Sequence, residues 1–178
     1  LLRQNLIAHS RFWIDSGKLY SQGVSAVRPQ PIAPQAGQES VWDYPRPPRL
    51  EDSDKHIQII FNGEIIADTH RAKRVLETSH PPVYYIPPED IQQQYLIASP
   101  ETTYCEWKGQ GAYYTLKVGD RQADEVAWYY PQPTPAFTTI QNYVAFYPRP
   151  MDACYVDGEK VQPQPGNFYG GWITRDIV

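Results

Sequence analysis

The chain has 178 residues, 41% of them hydrophobic, so it can bury one substantial core but has little room for two. A net charge of −4 removes the long-range attraction on which binders of nucleic acid or anionic membranes rely, and neither partner is expected. No apolar run approaches the roughly 20 residues that span a bilayer, and the opening Leu1-Leu2-Arg3-Gln4-Asn5 lacks the basic-then-apolar order of a secretory signal, so a cytoplasmic protein is expected.

Five Trp and 14 Tyr against one Met make the core aromatic, and 18 Pro leave few uninterrupted helices. Residues 1–20 carry a loose helical pattern in Leu2, Leu6, Ile7, Phe12, Trp13 and Ile14, ended by Gly17. Residues 22–38, rich in Pro, Gln, Ala and Ser without periodicity, read as a tether. Residues 1–38 are therefore assigned to an extension and 39–178 to a single β domain. The prolines after Trp42 demand an extended course. Asn62-Gly63, between 58–61 and 64–67, marks a β-hairpin because both residues tolerate positive φ. Asp68 or Thr69 is placed to cap a short helix over 71–77, with Lys73 and Glu77 four apart; a loop or strand is the competing reading.

His80-Pro81-Pro82 breaks that element, 83–86 follows as a strand, and 87–94 reads as one or two helical turns opened by proline. Three β segments are expected at 102–108, 112–118 and 125–130, with a turn at Gly119-Asp120. Two more fall at 143–147 and 154–156, the last turned by Asp157-Gly158, and the aromatic tail 167–172 is expected to fold back. The sum is a mainly β protein: a small antiparallel two-sheet or open-barrel domain with one or two short helices and a Pro-rich N-terminal extension.

Four phrases, Glu39 to Pro48 (ESVWDYPRPP), Tyr84-Tyr85-Ile86-Pro87-Pro88-Glu89-Asp90, Cys105-Glu106-Trp107-Lys108-Gly109 and Ala127-Trp128-Tyr129-Tyr130-Pro131, together resemble the domain of unknown function 427 family. The resemblance extends over roughly 39–172. It implies a small β domain similar to the tent-like pair of sheets of several small-ligand and metal-binding modules. A nucleotidyltransferase-like label attached to the family implies spaced carboxylates holding Mg²⁺ after a Gly-Ser turn. Here Asp52-Ser53-Asp54 is the sole Asp-x-Asp and is read as following no strand.

The aromatic phrases read as strand ends converging on one place. Tyr85, Trp107, Trp128 and Tyr130, with Tyr84, Tyr113, Tyr114 and Tyr129, are candidates for an aromatic box, although strand alternation admits only half of them to one face. Cys105 and Lys108 lie three apart, and Gly109 and Gly111 make a bend that brings them to one side plausible. A cation beside a thiol favours thiolate, and a desolvated lysine can itself become nucleophilic, so these two are the candidate catalytic residues. The competing reading packs Cys105 as a small apolar filler and pairs Lys108 with Glu106 or Glu125. Arg71, Arg74 and Glu77 are candidates to clamp an anion, or else a solvated helix face. Paired Cys-x-x-Cys motifs are lacking, so no metal and no cofactor are expected. Cys105 and Cys154 are expected as reduced thiols, with a single bridge as the alternative.

The function expected is binding, and conversion as an extension of it, of an unidentified small molecule in an aromatic pocket edged by Cys105 and Lys108. The alternative is an interaction module, a homodimer or one docking a protein partner, using exposed aromatic and polyproline segments. A nucleotide-handling enzyme is the weaker alternative.

Overall fold

The computed structural model describes residues 31–166 and 169–178, so the helix expected over 1–20 and most of the tether lie outside the described residues. In chain order the strands are β1 (Arg49–Asp52), β2 (Ile57–Phe61), β3 (Glu64–Thr69), β4 (Lys73–Leu76), β5 (Val83–Ile86), β6 (Leu96–Cys105) and β7 (Gly109–Val118). They continue as β8 (Arg121–Tyr129), β9 (Val144–Phe146), β10 (Ala153–Val156), β11 (Glu159–Lys160), β12 (Gln162–Pro163) and β13 (Trp172–Ile173). A large sheet runs β1-β4-β5-β9-β8-β7-β6 and a small one β11-β10-β2-β3, with β12 and β13 as a separate pair; every strand pair in them is antiparallel. The protein is mainly β and its sheets stay open.

Turn chemistry sets the register. Asn62 and Gly63 take φ of 50° and 77°, the left-handed pair that a two-residue hairpin matching strand twist needs, and they join β2 to β3 with Phe61 opposite Glu64. Asp157 and Gly158, at 50° and 79°, repeat the device between β10 and β11.

Alternation along each strand then divides the large sheet into two faces. Tyr84 and Ile86 of β5, Val144 and Phe146 of β9 and Leu116 of β7 join the inner core against Ile57, Ile59 and Phe61 of β2 and Cys154 and Val156 of β10. Val83 and Tyr85 of β5, Ala145 of β9 and Trp128 of β8 face outward into a second cluster. Trp172, 1% exposed, closes the inner core: its backbone N–H donates to Pro82 O at 2.9 Å and its indole N–H to Phe146 O at 3.1 Å.

The described ends are tied together, with Glu39 N–H donating to Asp176 O and Val178 N–H to Glu39 O. Arg74 holds Glu39 at 2.9 Å and Tyr44 donates to the same carboxylate at 2.7 Å. Burial opposes ionisation of Glu39, yet these two hydrogen bonds outweigh it and keep its carboxyl below the usual range.

The segment 71–77 is not a helix. Thr69 Oγ1 accepts the Arg71 N–H at 2.9 Å, as a cap would, but β4 is paired on both sides, by β1 and by β5, and that ladder decides the conformation. Lys73 consequently meets Asp52 across the strand pair rather than Glu77. The helical turns expected over 87–94 are the 3₁₀ turns Pro88–Asp90 and Gln93–Tyr95, and a longer one, Pro135–Ile140, was not foreseen. Residues 106–108 are the turn between β6 and β7 rather than strand. Asp52 ends β1, so the Asp-x-Asp does follow a strand, contrary to the sequence reading; its carboxylate is committed to Lys73.

Candidate functional site

The outer cluster is organised around the β6–β7 turn. Cys105 pairs opposite Gly109, whose φ of 95° reverses the chain and leaves Glu106, Trp107 and Lys108 between the strands. The following 3₁₀ segment clamps this turn: Thr134 N–H donates to Lys108 O at 3.1 Å, and Thr134 Oγ1 donates to Trp107 O at 2.5 Å. The clamp swings Lys108 inward, where it is 8% exposed, with Nζ 5.6 Å from the Phe137 ring centre and 5.9 Å from that of Tyr130. Both distances suit attraction of a cation to an aromatic face.

Four of the residues expected at the site meet Lys108 and Cys105 here. Tyr85, Trp128 and Tyr130 are core members of the cluster, and Trp107 packs against it together with Cys105, Tyr113 and Tyr147. Trp128 Nε1 donates to Tyr85 Oη at 3.3 Å, and the ring of Trp128 lies 4.5 Å from that of Tyr147. Gly170 covers Trp128 from the tail; a Cβ there would stand 2.4 Å from Trp128 Cη2. Burial pushes the phenols of Tyr85, Tyr130 and Tyr147 above their ordinary value, so all three remain hydroxyl groups at neutral pH.

Burial works against the charge on Lys108. The neighbouring Tyr85, Cys105 and Glu77 side chains, Cys105 also through a hydrogen bond, outweigh it, and the ammonium keeps its proton above the ordinary lysine value. This charge state suits Lys108 to holding an anion and not to acting as a free amine nucleophile. Among the described residues no carboxylate lies within 4 Å of it, and Glu106, a partner considered from the sequence, pairs with Arg46 instead. The indole N–H of Trp107, on the same turn, is buried with no acceptor among the described residues. A buried ammonium without a paired carboxylate and a buried donor without an acceptor are both costly arrangements. Of the two, Lys108 has the Cys105 side chain as a partner and the Trp107 N–H has no acceptor among the described residues.

Glu77 lies just past β4, within the field of Lys108. Arg71, at the opposite end of that strand and 63% exposed, forms an ion pair with Asp90 and is not brought to the cluster. Arg74 is held by Glu39 and Glu51. Cys105 is half-buried and free. Cys154, also free, lies in the inner core, where burial pushes its thiol up and makes it unreactive. His56 and His70 stack on each other at 4.4 Å, and His80 lies against Tyr169 at 4.6 Å. Among the described residues no three His, Cys, Asp or Glu side chains converge to hold a metal ion, and no helix is long and apolar enough to cross a membrane.

Beside the cluster, on the far side of Tyr113 and Tyr147, is a hollow of about 450 Å³ that sequence reasoning missed. Its carboxylates, Glu101, Asp124 and Glu125, have no telling spacing in the sequence, because irregularities in two strands bring them together.

The architecture is thus an open, two-sheet β protein with an aromatic cluster around a buried lysine on the outer face of its larger sheet. The family model described as Domain of unknown function (DUF427) matches residues 49–157, well over half of the chain, and the chain belongs to that family. The matched span contains every residue of the outer cluster. No curated protein matches the chain.

Proposed function

We propose that this protein binds a small molecule bearing an anionic or acceptor group on the outer face of its large sheet. Lys108 and the Trp107 indole N–H receive that group, and Tyr85, Trp128 and Tyr130 form the surrounding aromatic wall. The observation that carries the reading is the buried Lys108 ammonium with no carboxylate of a described residue within 4 Å, on the same turn as the buried Trp107 N–H, which has no acceptor among the described residues. Pockets of this kind are mostly apolar with a few placed polar groups. Glu77 tempers the charge while the site is empty. If the ligand is converted, Cys105 is the candidate nucleophile, being half-buried with a cation beside it. Two free thiols fit a reducing, cytoplasmic setting.

Native mass spectrometry of the purified chain, compared with its denatured mass, tests this reading directly. A retained ligand is expected, lost in Lys108→Met and retained or covalently trapped in Cys105→Ser. Ligand retention by Lys108→Met equal to that of the unsubstituted chain overturns it.

One observation favours the alternative of a docking module. Tyr104 and Ile97, 78% and 48% exposed, sit on β6, one of the two edge strands of the large sheet. A dimer in the same native spectrum, abolished by Tyr104→Ser, supports that second reading.

A further inference from the structure

The hollow beyond Tyr113 and Tyr147 carries an inference that goes beyond the Lys108 site. Strand β7 is flanked on both sides by irregular pairing. On β6, Ala98 pairs with Tyr114 and Thr102 with Ala112, so Ser99, Pro100 and Glu101 stand opposite Tyr113 alone. On β8, Ala127 pairs with Tyr114 and Ala123 with Leu116, so Asp124, Glu125 and Val126 stand opposite Thr115 alone. Glu125 takes a φ of 55°, a left-handed conformation uncommon for a non-glycine residue. Bulges re-aim side chains, and these two are large enough that Ser99 Oγ donates to Glu125 Oε1 at 3.4 Å across the intervening strand.

The result is a cavity of about 450 Å³ walled by the Tyr113 and Tyr147 rings and edged by Glu101, Asp124 and Glu125. Its size falls within the range of small-ligand sites. Among the described residues that line it the one cation is Arg149, which directs Nη2 to Gln164 O at 3.4 Å. None of the three carboxylates forms an ion pair with a described residue: Asp124 accepts from Gln122 at 2.8 Å and Thr115 at 3.4 Å, and Glu125 from Ser99. Aromatic walls favour a flat body, and three carboxylates against one guanidinium favour positive charge. The carboxylates do not converge on a metal-binding geometry.

We propose that this hollow is a second binding site, for an organic cation with a flat apolar body, such as an aryl-alkylamine. Three probes that share one ring system and differ in charge test it: tryptamine, tryptophol and indole-3-acetate, each titrated calorimetrically into the full chain at low salt. Tryptamine is expected to bind about tenfold more tightly than tryptophol, and indole-3-acetate more weakly than either. The preference for tryptamine is expected to shrink to about twofold at 0.5 M salt and in Glu101→Gln/Glu125→Gln. The single Glu101→Gln variant, at a position that lacks the left-handed backbone of Glu125, gives the same reading if the double variant does not fold.

Equal affinities for the three probes overturn the inference, as does a preference that survives both carboxylate substitutions, or no binding of any probe. Lys108→Met separates the two sites. Tryptamine binding that persists in that variant supports a second site, and loss of it there assigns the cation to the Lys108 cluster and overturns this proposal. Failure of all three probes while the native spectrum retains a ligand sensitive to Lys108→Met leaves the proposed function standing.

Discussion

The two faces of the large sheet are made by neighbouring residues of the same strands, yet they bury different chemistry. The inner face presents Ile86, Val144, Phe146 and Leu116 to an equally apolar small sheet, and its one indole N–H has a backbone acceptor. Both faces hold tyrosine and a thiol, Tyr84 and Cys154 on the inner side and Tyr85, Tyr130 and the half-buried Cys105 on the outer, but only the outer face buries an ammonium and, among the described residues, leaves an indole N–H without an acceptor. Replacing buried charge by apolar groups of similar size is often neutral or stabilising, so a face selected for stability alone would resemble the inner one. The contrast teaches that the inner face holds the fold together, while the outer face keeps polar groups that stability does not require, which accords with the binding function proposed above.

The sharpest way to break that comparison is to damage each face in turn. Phe61→Ala, in the inner core and fully buried, is expected to cost about 3–5 kcal/mol in denaturant unfolding. A loss under about 1 kcal/mol would mean that the inner face is not the stabilising one. Gly170→Ala drives a methyl into Trp128 and is expected to cost about 1–3 kcal/mol, read as a lower melting temperature with altered tryptophan emission. Lys108→Met is expected to be neutral or stabilising by about 1 kcal/mol while abolishing ligand retention, a split that a purely structural lysine would not give.

Acid sharpens the comparison, because it acts on the tied ends and spares both apolar interiors. Burial opposes the charge on Asp176 as it does on Glu39, but Thr174 and Lys55 outweigh it, so both carboxyls lie below their ordinary values of 3.8 and 4.5. The unfolded chain therefore takes up protons first. Their contribution is complete above about pH 5 and is lost progressively as pH falls through the lowered folded values, a decline visible in melting temperature against pH. The smallest effect is expected from Tyr104→Ser: within about 0.5 kcal/mol in stability, whatever it does to association.

The hairpins were legible in the sequence because Asn62-Gly63, Gly119 and Asp157-Gly158 announce positive φ locally. The convergence of Tyr85, Cys105, Lys108, Trp128 and Tyr130 was legible too, since each lies at or beside a strand end. Strand β4 was read first as a helix because its cap-like Thr69 is a local signal, whereas its pairing with β1 and β5 is not. The first half of β6 was missed because Pro100 sits in a bulge on an edge strand, where neither alternation nor a missing N–H gives it away. The same bulges hid the hollow. Glu101 and Glu125 are 24 positions apart and become neighbours only through irregular pairing, which leaves no periodic trace.

The mutual hydrogen bonds of Glu39 and Val41 with Asp176 and Val178 have a topological consequence. Residues 39 and 178 lie side by side, so a short splice from Val178 to Glu39, with new termini opened at the exposed Asp157-Gly158 turn, gives a circular permutant of residues 39–178 in which both sheets keep their strand order.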